Sequence, residues 1–183
     1  TIKDISNNTI IVPTQPKYCD TLYDHIKYDK IITTMKTSTM SETVYNLKNI
    51  ISGNTLLIMP DTYFYPENMS NFINYLTPDI DICLGVWKIR DDQRGKLGQC
   101  CIDDNNMLID IIDKDPTCPF EWAWGIAIWK QNMWKYINPT DPHVGYAFKI
   151  ALKNNYKIKC YKFDHEYFDC GTIKEYKYLL SIL

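Results

Sequence analysis

Short apolar segments alternate with helical patterns along the first part of the chain. The predicted order is strand 8–14, helix 16–26, strand 30–35, helix 41–51, strand 55–60 and helix 66–76. Residues 55–60, TLLIMP, form an apolar run typical of a strand covered on both faces. Strands that alternate with helices build doubly wound sheets. The pattern therefore predicts an α/β fold with a mostly parallel, doubly wound sheet.

The second part of the chain is richer in strands. Its predicted elements are strands 81–89, 96–103, 106–113 and 122–130, two helical stretches ending near residue 154, strand 157–163 and helix 173–183. The polar residues DDNN join the second and third of these strands, which indicates an antiparallel hairpin added to the sheet. The chain has 183 residues and no repeat or linker, so we predict a single domain over 1–183.

Charge and cysteine content exclude several classes of protein. Lys and Arg number 20 against 22 Asp and Glu, which leaves no basic surface for nucleic acid. The sequence has no apolar run long enough to span a membrane and no signal-peptide pattern at its start. Seven scattered cysteines are typical of reduced thiols, so we predict a cytoplasmic protein. A zinc site from Cys160, His165 and Cys170 is the alternative, without the short paired spacing of such sites.

Two acids lie where an open α/β sheet binds its ligands, at the carboxyl ends of strands. Asp61 directly follows the apolar strand 55–60, and Asp169 lies between aromatic residues and a Gly-Thr turn that leads into the last helix. Asp also begins turns after strands, which is the alternative for Asp61. If the two carboxylates converge, they suit Mg²⁺, which takes a few protein oxygens together with substrate phosphates.

Four motifs, in order and spacing, resemble the sugar-1-phosphate nucleotidyltransferases, which include glucose-1-phosphate thymidylyl- and uridylyltransferases. They read LLIMPDTYF, LGQCCIDDNNMLIDIIDKDP, WAWGIAIW and YFDCGTIKEY. The resemblance implies a Rossmann-like fold and Mg²⁺-dependent transfer of a nucleotidyl group from an NTP to a hexose 1-phosphate, with release of pyrophosphate. It also implies a nucleotide and a sugar phosphate as partners, and it leaves a homo-oligomer open.

The resemblance assigns roles to individual residues. Asp61 and Asp169 become the metal ligands, and Thr172 supports the turn after Asp169 and the bound sugar phosphate. Asp113 and Lys114 occupy the places of the acid and the lysine that contact the sugar phosphate, although this chain reads DKDP where the family usually has EKP.

The resemblance also bears on a glycine and on one polar segment. Gly125 is either a bulge or a close approach of the sugar to the backbone, and the resemblance favours the second. Ser41, Glu42 and Thr43 lie where the family reads the nucleotide. An ordinary helix start with Ser41 as its N-cap explains them equally well.

One family feature is missing from the sequence. Family members begin with a strand and a glycine-rich loop that holds the triphosphate, whereas no glycine precedes Gly53 here. The resemblance thus implies that the chain starts about one βα unit late. The alternative function is a catalytically impaired domain of the same fold that binds a sugar nucleotide or a partner protein. Four tryptophans within residues 122–134 form either a partner surface or, as their usual burial favours, a core.

A glycosyltransferase of similar architecture is a third class. Its metal motif, Asp-x-Asp after a strand, is not present, because Tyr63 stands two residues after Asp61.

Overall fold

The structure is a computed structural model that describes residues 11–20, 30–33, 35–65 and 68–183. The strands in this part of the chain are β1 (Ile11–Thr14), β2 (Lys30–Thr33), β3 (Thr55–Ile58), β4 (Thr62–Phe64), β5 (Ile82–Lys88), β6 (Gly98–Ile102), β7 (Leu108–Asp113), β8 (Trp122–Trp129), β9 (Ile158–Lys162) and β10 (Tyr167–Asp169). The α-helices are α1 (Met40–Tyr45), α2 (Met69–Asn74), α3 (Gly145–Lys153) and α4 (Ile173–Ile182). Short 3-10 helices cover Pro16–Tyr18, Asp91–Gln93 and Gln131–Tyr136.

Strand β8 organises the main sheet. The strand order is β7-β6-β8-β5-β9, and β3 also pairs with β8. All residues of β8 after Trp122 are buried, as its unbroken apolar sequence requires. Separate two-stranded sheets join β1 with β2 and β4 with β10. The predicted α/β class with an added β6–β7 hairpin is confirmed.

The strand directions are more mixed than the sequence pattern suggested. The pairs β1–β2 and β5–β9 are parallel, whereas β8 runs antiparallel to β3, β5 and β6. An apolar run indicates that both faces of a strand are covered but carries no information about direction. The apolar run of β3 predicted a strand covered on both faces, but Leu56, Leu57 and Ile58 are only partly buried, and the strand pairs with β8.

Aromatic side chains fill the core on both faces of the sheet. Trp129, Trp134 and Phe148 pack on the face covered by α3. On the other face, Trp87 and Phe163 stack with ring centroids 4.5 Å apart. The expectation that the tryptophans form a core is confirmed for the three that are buried in residues 122–134, since only Trp122 of that group is partly exposed.

Some predicted elements shift or shorten. Helix α1 begins at Met40 with Thr39 as its N-cap, so the predicted N-cap Ser41 is wrong. Thr39 accepts the Glu42 N–H through its side chain, which places the cap two residues earlier. Strands β4 and β10 went unrecognised, because three-residue strands show too little periodicity. Residues 8–10 of the first predicted strand, residue 34 of the second, residues 21–26 of the first predicted helix and residues 66–67 of the third lie outside the described residues.

All seven cysteines are free thiols. Burial raises the pKa of Cys160 to about 12 and raises that of Cys83 and Cys100 as well. Among the described residues, no group of three or more His, Cys, Asp or Glu side chains could hold a metal, so the zinc alternative is not supported. No helix in the described part of the chain has the length and apolarity needed to cross a membrane.

Candidate functional site

The small β4–β10 sheet brings Asp61 and Asp169 together, although more than a hundred residues separate them in the chain. Thr62 lies opposite Asp169 in the antiparallel pair. The Cys170 N–H donates to the Asp61 carbonyl at 2.6 Å, which holds the two chain segments together just beyond the ladder. Strand pairing therefore places both acids at one end of this sheet.

The two carboxylates face one point, next to Gly171. A β-carbon built on Gly171 would lie 3.1 Å from Asp169 Oδ1 and 3.4 Å from Asp61 Oδ2. The distance between the two oxygens cannot exceed the sum of these values, which is within the roughly 8 Å that a shared cation allows. The Gly171 N–H donates to Asp169 Oδ1 at 3.0 Å and orients that carboxylate. A side chain at position 171 would therefore lie against both carboxylates.

Thr172 is the N-cap of α4. Its hydroxyl accepts the Glu175 N–H at 3.2 Å and donates to Glu175 Oε2 at 2.8 Å. This cap fixes the turn after Asp169, the structural part of the role assigned to Thr172. The Thr172 hydroxyl thus already makes two hydrogen bonds within the cap. A contact between Thr172 and a sugar phosphate stays a prediction.

A cavity of about 490 Å³ opens beside Asp169 and Thr172. Three cationic side chains, Arg90, Lys96 and Lys174, line it together with acidic and aromatic residues. Arg90 pairs with Asp92 at 3.1 Å, and Lys96 pairs with Glu175 at 3.1 Å. The volume is within the usual range of ligand pockets, and the three cations are matched by three acids in the lining, Asp92, Asp169 and Glu175.

Asp113 and Lys114 lie at the end of the β6–β7 hairpin. Asp113 pairs with Gly98, and its Oδ2 lies 3.6 Å from His143 Nε2. Burial raises the pKa of the Asp113 carboxyl, and the positive charges of Lys114 and of His143 when it is protonated oppose that rise. Lys114 has φ +52°, an uncommon conformation for a side chain of this size, and its N–H donates to the Leu97 carbonyl at 3.2 Å. The lysine is exposed, and its charge acts on both Asp113 and His143.

The extra acid of the DKDP motif, Asp115, forms hydrogen bonds within a local turn. Asp115 Oδ1 accepts the N–H and the hydroxyl of Thr117 at 2.8 and 2.7 Å. The buried side chain of Gln99 donates to the Asp115 carbonyl at 2.7 Å. Asp115 therefore points its side chain into its own turn, and Asp113 and Lys114 keep their positions at the end of β7.

Gly125 is a bulge, one of the two alternatives that the sequence left open, and a backbone contact with a sugar at this position stays a prediction. Gly85 and Val86 pair with Ile126 and Trp124, so Gly125 is the unpaired extra residue of β8. A β-carbon on Gly125 would lie 2.2 Å from the Tyr167 ring. The side-chain position at Gly125 is thus occupied by Tyr167, the first residue of β10.

Trp124 and Gly125 connect the two groups of acids. Gly125 contacts Tyr167, which precedes Asp169 in β10, whereas Trp124 lies beside Asp113 and Gly98. The Asp61–Asp169 pair and the Asp113–His143 pair thus lie on either side of the Trp124–Gly125 step of strand β8.

The segment with Ser41, Glu42 and Thr43 packs against the loop that precedes α3. The Thr39 hydroxyl donates to the Pro139 carbonyl at 2.9 Å, and the Met40 N–H donates to the Pro142 carbonyl at 3.3 Å. Ser41 is only 1% exposed. Glu42 accepts the Ser38 N–H, and the Thr43 hydroxyl donates to the Thr39 carbonyl. These bonds form a helix start, and nucleotide contact by the three residues stays a prediction.

His143 was not recognised as a site residue from the sequence. It follows Pro142 in a loop, and its partner Asp113 is thirty residues earlier in the chain. A single histidine in a polar loop carries no periodic or motif signal. Only the docking of this loop on the end of β7 reveals the pair.

Comparisons with solved structures identify the fold. A protein assigned as a glucose-1-phosphate thymidylyltransferase from Bacillus anthracis, in complex with a sucrose, has a TM-score of 0.80 at 13% identity, over 94% of this chain and 74% of that one. A UDP-glucose pyrophosphorylase complexed with UDP-glucose has a TM-score of 0.78 at 12% identity, over 94% and 80% of the two chains. This chain has the nucleotidyltransferase fold.

HddC from Yersinia pseudotuberculosis has the same fold, with a TM-score of 0.70 at 16% identity, over 99% of this chain and 81% of that one. No protein-family model matches the sequence. No curated protein matches it either. The nucleotidyltransferase fold is therefore established through structure, at identities too low to transfer a substrate.

Proposed function

We propose that this protein transfers a nucleotidyl group from an NTP to a hexose 1-phosphate and releases pyrophosphate. The observation that carries the proposal is the convergence of the Asp61 and Asp169 carboxylates next to Gly171, in a chain with the nucleotidyltransferase fold. In the reaction, an oxygen of the sugar phosphate forms a bond to the α-phosphorus of the NTP. The bond from that phosphorus to the bridging oxygen of the β-phosphate breaks, and pyrophosphate leaves.

The donor set of Asp61 and Asp169 fits Mg²⁺. Mg²⁺ is commonly bound by one or two carboxylates, and substrate phosphates and water complete its coordination. When bound, such an ion neutralises negative charge on the phosphates. Asp61 is exposed and Asp169 is partly exposed, so both carboxylates are open to an incoming phosphate.

The other residues bind and orient the substrates. Lys114 supplies an exposed ammonium for the sugar phosphate, and Asp113 supplies an acceptor for a sugar hydroxyl. No covalent intermediate is required, because phosphoryl transfer of this kind depends on positioning and electrostatics. Cys170 is next to Asp169, and burial together with the nearby carboxylates raises its pKa, which disfavours a thiolate nucleophile.

Pyrophosphate release from a panel of NTPs and hexose 1-phosphates, with Mg²⁺, tests the proposal. We expect Asp61→Asn and Asp169→Asn to lower turnover by about 10²-fold or more, because each removes one of two charged ligands. Asp104→Asn is the matched control, since Asp104 is an exposed acid in the turn of the β6–β7 hairpin. Binding of a sugar nucleotide without pyrophosphate release would favour the alternative, a binding domain. Absence of both would contradict the proposal.

A further inference from the structure

A gap separates the side chains of Asp113 and His143. The Oδ2–Nε2 distance of 3.6 Å is longer than an ordinary hydrogen bond. The His143 side chain is 28% exposed and the Asp113 side chain 10% exposed. The two side chains therefore face each other at a partly exposed position without forming a hydrogen bond.

The other oxygen of Asp113 points into the protein. A β-carbon built on Gly98 would lie 3.0 Å from Asp113 Oδ1 and 2.3 Å from Trp124 Nε1. From the equivalent point on Gly145, these two atoms are 3.6 and 3.5 Å away. Trp124 is 6% exposed, and its Nε1 is buried without a hydrogen-bond partner. The indole and the two glycines enclose Oδ1, which leaves Oδ2 as the oxygen that faces His143.

The protonation states follow from the surroundings. Burial lowers the pKa of His143, the Asp113 carboxylate raises it, and Lys114 lowers it. Asp113 and Lys114 are the charged groups that act on this pKa, and two further acids lie on neighbouring segments, Asp141 in the same loop and Glu42 on α1. The net effect lowers the pKa of His143, which favours the neutral imidazole at pH 7. Its Nε2 carries the proton, because a lone pair facing a carboxylate would be repelled.

We propose that His143 is a specificity-determining residue that binds one hydroxyl of the sugar together with Asp113. The hydroxyl donates a hydrogen bond to Asp113 Oδ2 and accepts a hydrogen bond from the Nε2–H of His143. The 3.6 Å separation allows an oxygen to lie about 2.8 Å from both atoms, to one side of the line that joins them. A hydroxyl is both a donor and an acceptor, so it satisfies both sides of the gap at once. This inference rests on the proposed function, since it names how the sugar is recognised.

The same geometry selects against charged groups. A phosphate or carboxylate oxygen only accepts, and at this position it would face the Asp113 carboxylate. The ligand end that enters the gap is therefore a neutral hydroxyl. The sugar phosphate goes to Lys114, whose charge attracts it.

Calorimetry with α-D-glucose 1-phosphate, in the presence of Mg²⁺, tests the role of His143. We expect His143→Ala to weaken binding roughly 3- to 10-fold, the value of one hydrogen bond. His143→Gln should retain most of the affinity, because its amide N–H can replace the donor. Binding of inorganic phosphate should not change in either variant. His165→Gln is the matched control, since His165 is an exposed histidine outside the Asp113 pair.

A pH series separates recognition from structural support. As the pH falls, His143 becomes protonated and pairs with Asp113, so the wild-type affinity for the sugar phosphate should fall. His143→Gln should lack this component, and the titration of the ligand phosphate is common to both proteins.

Three results would overturn the inference while the proposed function stands. They are unchanged affinity in His143→Ala, an equal loss for inorganic phosphate, and the same pH profile in the wild type and His143→Gln. If the wild type binds none of the hexose 1-phosphates of the pyrophosphate-release panel, the inference and the proposed function both fail.

Discussion

The two acid pairs on either side of the Trp124–Gly125 step differ in their exposure. Asp61 is exposed and Asp169 partly exposed, and they face each other across the open space at Gly171. Asp113 is nine-tenths buried and faces a neutral imidazole. An exposed pair of carboxylates can exchange a hydrated cation and phosphates, whereas a buried carboxylate pays a desolvation cost that only a specific partner offsets. The first pair is suited to charge and the second to recognition of a neutral group.

The largest expected effect tests whether Asp61 and Asp169 act as one unit. If they hold a single cation, the double variant Asp61→Asn/Asp169→Asn should lose no more activity than the worse single variant, about 10²-fold or more. Their exposure predicts that the free energy of unfolding changes by less than about 0.5 kcal/mol. Pyrophosphate release and urea denaturation measure the two quantities. Multiplicative losses in activity would show that the acids act independently.

The second comparison substitutes one glycine beside each acid pair, Gly98 beside Asp113 and Gly171 beside Asp61 and Asp169. Gly98→Ala should lower the free energy of unfolding by about 1–3 kcal/mol, because its β-carbon would overlap the Trp124 indole at 2.3 Å. Gly171→Ala should leave stability nearly unchanged but lower activity, because its β-carbon would enter the space between the two carboxylates.

Gly145→Ala is the control for these glycine variants. Gly145 is also buried, and a β-carbon at this position would lie 3.5 Å from Trp124 Nε1, an ordinary contact distance. Chemical denaturation of the three variants provides the comparison. Similar destabilisation by Gly98→Ala and Gly145→Ala would contradict the packing of Trp124 described above.

The smallest effect concerns the burial of Asp113. Because the pKa of this carboxyl is raised in the folded state, ionisation opposes folding at neutral pH. Asp113→Asn should therefore raise the free energy of unfolding at pH 7, by up to about 1 kcal/mol. The gain should shrink as the pH falls through the raised pKa, where the wild-type carboxyl becomes protonated. The same variant should weaken sugar-phosphate binding.

Thermal unfolding of the wild type and Asp113→Asn between pH 3 and pH 7 measures this effect. Asp110→Asn is the control, since Asp110 is an acid of the same strand with a partly exposed side chain. A loss of stability at pH 7 in Asp113→Asn would contradict a cost of burying this charge.

The sequence by itself predicted the α/β class, the β6–β7 hairpin and the two acids Asp61 and Asp169. Asp113 and Lys114 became candidates through the family resemblance of its motifs. These features depend on local periodicity and on short motifs, which neighbouring residues carry. The prediction that Asp61 and Asp169 approach each other followed from their places after strand ends, and the β4–β10 pairing brings them together.

Tertiary structure decided the rest, because each remaining feature depends on a partner distant in the chain. Gly125 faces the ring of Tyr167, and His143 meets Asp113 only when its loop docks on the end of β7. The antiparallel direction of β8 is likewise a property of its neighbours, since an apolar run packs equally well in either direction. Local patterns specify which side chains a segment buries, and the pairing of segments specifies which of them meet.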